Sequence, residues 1–402
     1  MPTNQQSAVI SDGRRRVATA VVMWSFWAVM VGTTVPTPLY PLYEHAFGFS
    51  ALAVTVTFAV YALAVVVGLL ALGGLSDRLG RRPIAAAALV IAVVAALVFL
   101  VAGDLAVLLV GRVLSGLAAA LITGAATAQL AELASPGGAT RAGRLALAAN
   151  MGGLASGPLL AGLLAQFGPW PLRLSWVVTA AVLVVALVAL AVVPETVSRP
   201  AAGLIRRPTV PADIRGRFWS VALSAGAGFA VLGVLTAVTG LFLAQIAHIH
   251  NLLVTAIIVV AAFVCTGAGQ VLANRLGRAA SLASGAGMIA ATALIAAAMV
   301  TGSYLPLLLA AILLGTATGI AVGHGITLIN TSTPPDIRSA TISAFFAVLY
   351  TLLALPSIGV GALIGVLGLR TSGIVFAAAV ALLVVGVLVG SRRLSREDAF
   401  VR

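Results

Sequence analysis

The side chains that can do chemistry are few, and their spacing is specific. Residues 73–83 read Gly73-Gly74-Leu75-Ser76-Asp77-Arg78-Leu79-Gly80-Arg81-Arg82-Pro83, with one acid, three arginines and three glycines in a short turn. Asp77 can pair with a guanidinium or cap a helix N-terminus, and Arg78 and Arg81 offer planar forks for a carboxylate. Glu132, where a later apolar run ends, is a second acid that can take part. Arg112 sits inside the run Leu108-Leu109-Val110-Gly111-Arg112-Val113-Leu114-Ser115-Gly116. A permanent cation there either faces protein or water, or snorkels to an interface. His324, in Gly323-His324-Gly325, is the remaining titratable group within an apolar run. It titrates near neutrality, so it either carries a proton or stays neutral and hydrogen-bonded in the bundle.

What is missing bounds the chemistry further. None of the 10 acids falls in the middle of an apolar run. His45, His248 and His250 lie near the ends of runs, and Cys265 is the single cysteine. Clustered His, Cys or carboxylates at catalytic or metal spacing do not occur, so no enzyme activity, metal or cofactor is expected.

The elements that must position these residues follow from composition. Hydrophobic residues make up 61% of the 402 and charged residues 8%, against about half and a quarter in soluble domains. Such a chain needs lipid as its solvent. The formal charge of +13 does not point to nucleic acid, because no basic helix or aromatic–basic patch carries it. Arg14-Arg15-Arg16 before an apolar stretch has the look of a signal peptide, but the stretch continues to about Tyr40 without a small-residue cleavage site, so it reads as a retained helix.

Apolar runs able to cross about 30 Å of hydrocarbon at about 1.5 Å per residue fall at 17–40, 50–74, 84–102, 105–131, 144–166, 173–194, 218–246, 252–274, 281–301, 303–330, 339–366 and 370–391. With both termini cytoplasmic, all of the 23 arginines except Arg112, Arg173 and Arg370 fall on the cytoplasmic side, as the positive-inside rule demands. The connection 195–217, with Pro200, Pro208, Pro211 and five arginines, divides an N-terminal six-helix bundle, 1–194, from a C-terminal one, 218–402. The halves repeat: Asp77-Arg78-Leu79-Gly80-Arg81 matches Asn274-Arg275-Leu276-Gly277-Arg278 at an offset of 197, Arg141 matches Arg338 at 197, and Pro158 matches Pro356 at 198. An even number of spans per half gives both copies one orientation, so their pseudo-twofold axis runs along the membrane normal with a cavity between them. The expected fold is an all-α integral membrane protein of twelve transmembrane helices.

These features resemble the major facilitator superfamily over nearly the whole chain. The family's loop G-x-L-x-D-r-x-G-r-r is matched by Gly73, Leu75, Asp77, Arg78, Gly80, Arg81 and Arg82. Arg112 and Gly116 resemble its R-x-x-x-G helix motif, which is associated with proton coupling in antiporters. Gly153, Gly157, Pro158 and Gly162 resemble the G-x-x-x-G-P-x-x-G-G motif of drug–proton antiporters, with Ala161 in place of one glycine. Gly32, Pro38 and Pro41 are similar to the G-x5-P-x-x-P signature of the twelve-helix branch. The resemblance implies a latch in which Arg81 meets Glu132 near Asp77 and Arg78, holding one face shut. It also implies a cavity lined by the first, fourth, seventh and tenth spans, with Trp27, Met30, Thr34, Thr123, Phe229 and Thr318 as candidate substrate contacts. A departure is the lack of an acid within the first span, which turns attention to His324 as the proton carrier beside Arg112.

The function these residues imply is proton-coupled efflux of drugs or lipophilic metabolites by alternating access. The alternative is export or import of a sugar, amino acid or other small polar solute. The expected partners are a lipophilic small molecule, protons and membrane lipid, with no nucleic acid. No cofactor is expected, and a proton gradient is the energy source. The expected setting is a monomer crossing the bacterial cytoplasmic membrane many times.

Overall fold

The computed structural model describes residues 11–135, 137–197 and 210–400. Most of the expected connection between the halves, including Arg199, Arg206, Arg207, Pro200 and Pro208, lies outside them. The described residues form helices α1 (Asp12–Thr34), α2 (Tyr40–Phe47), α3 (Ala51–Leu72), α4 (Leu75–Leu79), α5 (Arg81–Leu100), α6 (Leu105–Glu132), α7 (Ala139–Phe167), α8 (Leu174–Ala189), α9 (Arg215–Gln245), α10 (Leu252–Leu276), α11 (Ala280–Thr301), α12 (Tyr304–Ser332) and α13 (Pro335–Phe400). Helices are the form that an open chain can take in hydrocarbon, because each satisfies its own backbone. Where a span begins near water, a side chain takes the orphan amides: Ser50 accepts from Ala53, Asp104 from Val107, Asn251 from Leu253 and Ser303 from Leu305.

Among the described residues, 11 helical stretches are long and apolar enough to cross a bilayer. The last, Ala340–Gly390, has 51 residues, about 75 Å of helix and more than twice the thickness to be crossed. Its backbone leaves the helical region at Gly368, at φ 76° and ψ 163°. That break divides α13 into two legs and completes the twelve crossings. The remaining differences from the sequence reading are at edges: α1 starts at Asp12, and the proline-rich Pro36–Pro41 segment leads into the short α2 instead of extending the first span.

Packing reproduces the repeat. In the first half α3 packs on α6, α5 on α6, and α1 on both α6 and α7. In the second half α10 packs on α12, α11 on α12, and α9 on both α12 and α13. The main contacts between halves are α3 with α13 and α7 with α10, and these two exchange under the same correspondence. Gly80 and Gly277, at matching positions, both have positive φ, 102° and 51°, a backbone conformation open chiefly to glycine.

The small residues of α7 explain two of its neighbours. A Cβ on Gly153 would lie 2.5 Å from the Cβ of Met30, and one on Gly157 would lie 2.2 Å from the Thr34 hydroxyl and 2.4 Å from the Val31 carbonyl. Pro158 has no N–H, so the carbonyl four residues back, on Leu154, loses its helical partner. The Thr34 hydroxyl of α1 takes that carbonyl at 3.0 Å. One turn further along, Gly162 faces the other half. A Cβ there would lie 2.6 Å from the Cβ of Ala256 and 3.1 Å from the Leu252 carbonyl.

Gly162 belongs to a closed seam at the arginine-poor end of the bundle. Gln166 accepts from the Leu252 amide at 2.9 Å, and Gln245 donates to Glu44 at 3.5 Å. Pro41 fills the place of a side chain on Gly240, and Thr55 does the same at Gly361. Gly162→Val should wedge α7 from α10 and populate forms open at this end. Spin labels on Phe167→Cys and His250→Cys, in a Cys265→Ala background, should report a longer distance in the variant. An unchanged distance distribution would show that Gly162 does not hold the seam.

Candidate functional site

Arg112 lies near the start of α6 and is 1% exposed. Its Nε donates to the Thr57 carbonyl at 3.0 Å and its Nη1 to the Thr33 carbonyl at 2.8 Å. Thr33 is in the last turn of α1, where carbonyls have no helical partner, and Pro36 and Pro38 beyond it cannot supply N–H groups. The negative end of the α1 dipole is therefore aimed at the guanidinium. The cation also sits 4.7 Å from the Tyr61 ring centroid and 5.9 Å from that of Phe58. No carboxylate pairs with it among the described residues. An arginine at mid-membrane costs about 2.5–3.5 kcal/mol on insertion scales. A partly buried helix terminus contributes up to about 2 kcal/mol and a desolvated ring face about 2 kcal/mol, enough together to hold the charge without an acid.

Tyr61 carries the contact across to the other half. Its hydroxyl lies near Thr33 and near Tyr350 of α13, and Tyr350 meets Phe229 of α9 edge to face at 5.8 Å. Arg112, Tyr61, Tyr350 and Phe229 thus form a run of touching side chains through the junction of the halves. Tyr61 and Tyr350 are absent from the residues the sequence singles out. The signal that could have found them is a tyrosine inside an otherwise apolar span, since a buried hydroxyl demands a partner.

The expected cavity residues divide. Trp27 is half-buried and donates to Ser156 of α7 at 3.1 Å, Thr123 and Phe229 are half-buried, and Trp24 is 38% exposed. Met30, Thr34 and Thr318 are buried in helix contacts, which corrects their expected place on a cavity wall in this conformation. Met30 and Thr34 fill the space left by Gly153 and Gly157. Thr318 packs against Gly228 of α9, where a Cβ would lie 2.5 Å from its hydroxyl.

At the arginine-rich end, Arg81 is the centre of a polar cluster. It forms an ion pair with Asp77 at 2.5 Å and with Glu132 at 2.9 Å, and it donates to Ser76 at 2.7 Å. Thr196, beyond α8, donates to Glu132. Arg78 is exposed. The ion pairs join α4, α5 and α6 within one half, so their geometry is that of a clamp on the first bundle. A strap drawn directly across to the second bundle is not what these pairs form. Ser343 of α13, in the other half, comes beside this turn: its hydroxyl would lie 3.5 Å from a Cβ on Gly73.

Glu195 completes this cluster, and the sequence reading assigned it no role. Its carboxylate accepts from the amides of Arg81 at 2.9 Å and Arg82 at 3.0 Å, which open α5, and from Thr196 and Val197 at 2.9 Å each. Position 80 favours glycine, because its φ is 102° and a Cβ there would also lie 2.6 Å from the Glu195 carboxylate. Burial raises the Glu195 carboxyl, and the amides of Val197, Arg81, Arg82 and Thr196 outweigh it and hold it below its ordinary value of 4.5. A carboxyl lowered in the folded state adds stability above that ordinary value and loses it as pH falls through its lower folded value. The cap should therefore be intact at pH 7 and loosen only below about pH 4. The hydrogen-exchange protection factors of the Arg81 and Arg82 amides, taken against the intrinsic rate at each pH, should fall in that acid range, and at pH 7 in Glu195→Gln. Equal protection in the variant would remove Glu195 from the clamp.

His324 is half-buried in α12. Its flanking glycines are packed: a Cβ on Gly323 would lie 2.7 Å from the Cβ of Ala273, and one on Gly325 would lie 2.6 Å from the Phe345 ring. The imidazole is not among the hydrogen-bonded or ion-paired groups of the described residues. The sequence alternative of a neutral histidine held by a bundle hydrogen bond is therefore not what this conformation contains.

The sequence profile of the Major Facilitator Superfamily matches residues 22–357. No curated protein matches the sequence. Among solved structures, a bacterial homolog to the human lysosomal transporter Spinster, inward-facing and unoccupied, aligns with a TM-score of 0.79 at 17% identity, covering 95% of this chain and 98% of that one. The nucleoside transporter NupG aligns with a TM-score of 0.73 at 13% identity, covering 93% and 99%. The human organic anion transporter MFSD10 (TETRAN) aligns with a TM-score of 0.65 at 15% identity, covering 93% and 99%. At these identities the likeness is one of fold.

Proposed function

The chain belongs to the major facilitator superfamily and is a multi-pass membrane transporter, not an enzyme, and we propose that it exports drugs or lipophilic metabolites in exchange for protons. It acts as a monomer, with its arginine-rich end and both termini in the cytoplasm. The observation that carries this reading is the aromatic junction between the halves at mid-depth, where Tyr61, Tyr350 and Phe229 meet beside a buried cation that has no acid partner. Aromatic faces offer adaptable apolar contact to varied substrates. The alternative, a sugar, amino acid or other small polar solute, calls for convergent donors and acceptors at that junction.

Alternating access turns on which end of the bundle is sealed. Here the arginine-poor seam is closed, so substrate enters from the arginine-rich side. Arg112 senses the junction through Tyr61, and His324, without a bonded partner among the described residues, is the group that takes and releases the proton. In proteoliposomes preloaded with a lipophilic fluorescent cation, an imposed pH gradient should drive its movement, and a protonophore should abolish that movement. Gradient-driven movement of a sugar or amino acid alone would favour the alternative. His324→Gln should flatten the pH dependence of transport between about pH 5 and 8, and an unaltered profile would remove this residue from proton coupling.

A further inference from the structure

A cavity of about 590 Å³ opens at the arginine-rich end within the first half, walled by the first turns of α1, the last turns of α6 and the first turns of α7. It is separate from the aromatic junction. Arg15, Arg16 and Arg141 stand at its rim, and Met23, Leu130 and Leu145 form its deeper wall. Asp12 also lines it and pairs with Arg15. Arg16 and Arg141 are exposed, and neither is in an ion pair among the described residues. The start of α7 adds to the positive field: it has no acid in its first turn and no side-chain cap. From Arg16 to Met23 the α1 wall descends about 10 Å, the depth of a headgroup and glycerol region above the first methylenes of an acyl chain.

We propose that this cavity binds one anionic phospholipid. The phosphate lies between Arg16 and Arg141, the two cations that Asp12 leaves uncompensated, and the acyl chains follow Met23 and Leu145. Zwitterionic lipid has the same apolar part but brings a cation to a basic rim, so the site discriminates by charge. Basic pockets between helices at this membrane depth suit such headgroups. The ligand is an amphiphile, because the lower half of the cavity offers only apolar contact.

The test uses the full chain, purified in neutral detergent, delipidated and then mixed with phosphatidylglycerol or phosphatidylcholine for native mass spectrometry. The intact protein should retain phosphatidylglycerol in preference to phosphatidylcholine. The double variant Arg16→Gln/Arg141→Gln should bind phosphatidylglycerol about 25-fold more weakly, the product of about fivefold per surface arginine. A control that removes the same charge at the same end of the second half, Arg215→Gln/Arg275→Gln, should stay within about twofold of the parent. Equal loss in both double variants would reduce the effect to general attraction and overturn the site. Equal retention of the two lipids, or displacement of phosphatidylglycerol by millimolar inorganic phosphate, would also overturn it.

Discussion

Arg112→Ala should fold and insert, yet lose pH-gradient-driven transport by about 100-fold or more. That loss corresponds to about 2.7 kcal/mol in the rate-limiting step. The two bonds from its guanidinium to the Thr33 and Thr57 carbonyls are charge-assisted and of about that size in total or larger. Folding should survive, because the variant removes a buried charge and leaves only two backbone carbonyls short of a donor. Arg112→Lys sharpens the test. An ammonium keeps the charge but cannot reach two carbonyls from different helices with a planar fork, so transport should fall between the parent and the alanine variant. Thermal stability in detergent and substrate flux in proteoliposomes, measured on the same preparations, separate folding from function. Full gradient-driven flux in Arg112→Ala would end the role assigned to this residue.

Gly157→Val should be severely damaging to the fold. The new side chain would meet the Thr34 hydroxyl and the Val31 backbone carbonyl at distances no real Cβ adopts. A flexible neighbour can move aside, but a backbone carbonyl cannot without shifting α1 bodily. Ordinary overpacking costs about 1–3 kcal/mol, and this contact belongs at or above the top of that range. The displacement would also break the Thr34–Leu154 bond and strand the carbonyl freed by Pro158. Gly143→Ala in the same helix is the control, since nothing lies within 4 Å of its added Cβ. It should be neutral or slightly stabilising through helix propensity. Yield of monodisperse protein and its melting temperature report both, and a Gly157→Val protein as stable as the parent would contradict the packing described.

The fold was legible because lipid leaves so few options. Long apolar runs, arginine alternation and three landmarks repeating at offsets of 197, 197 and 198 predict the helices and their pairing, and Gly80 and Gly277 carry that repeat down to the backbone dihedral. The break at Gly368 was legible too, since the apolar runs 339–366 and 370–391 part at that position. The site was less legible. Arg112 announces itself as a charge among apolar residues, but its partners are backbone carbonyls on α1 and α3, which no side-chain pattern reveals. Glu195 acts on residues 113 and 114 positions away, and only the folded chain brings them together. Thr34 shows the converse: a hydroxyl at mid-depth reads equally well as a substrate contact or as a helix-packing bond, and the Leu154 carbonyl freed by Pro158 decides for the bond.

The central claim is exchange of a lipophilic substrate for protons. It is tested most directly by proteoliposomes that trap a pH-sensitive dye and receive a candidate substrate in the absence of any imposed gradient. Adding a lipophilic cation should drive protons across the membrane in the opposite direction, and Arg112→Ala should abolish the signal. Proton movement with sugars or amino acids only, or substrate flux with no change in internal pH, would contradict it.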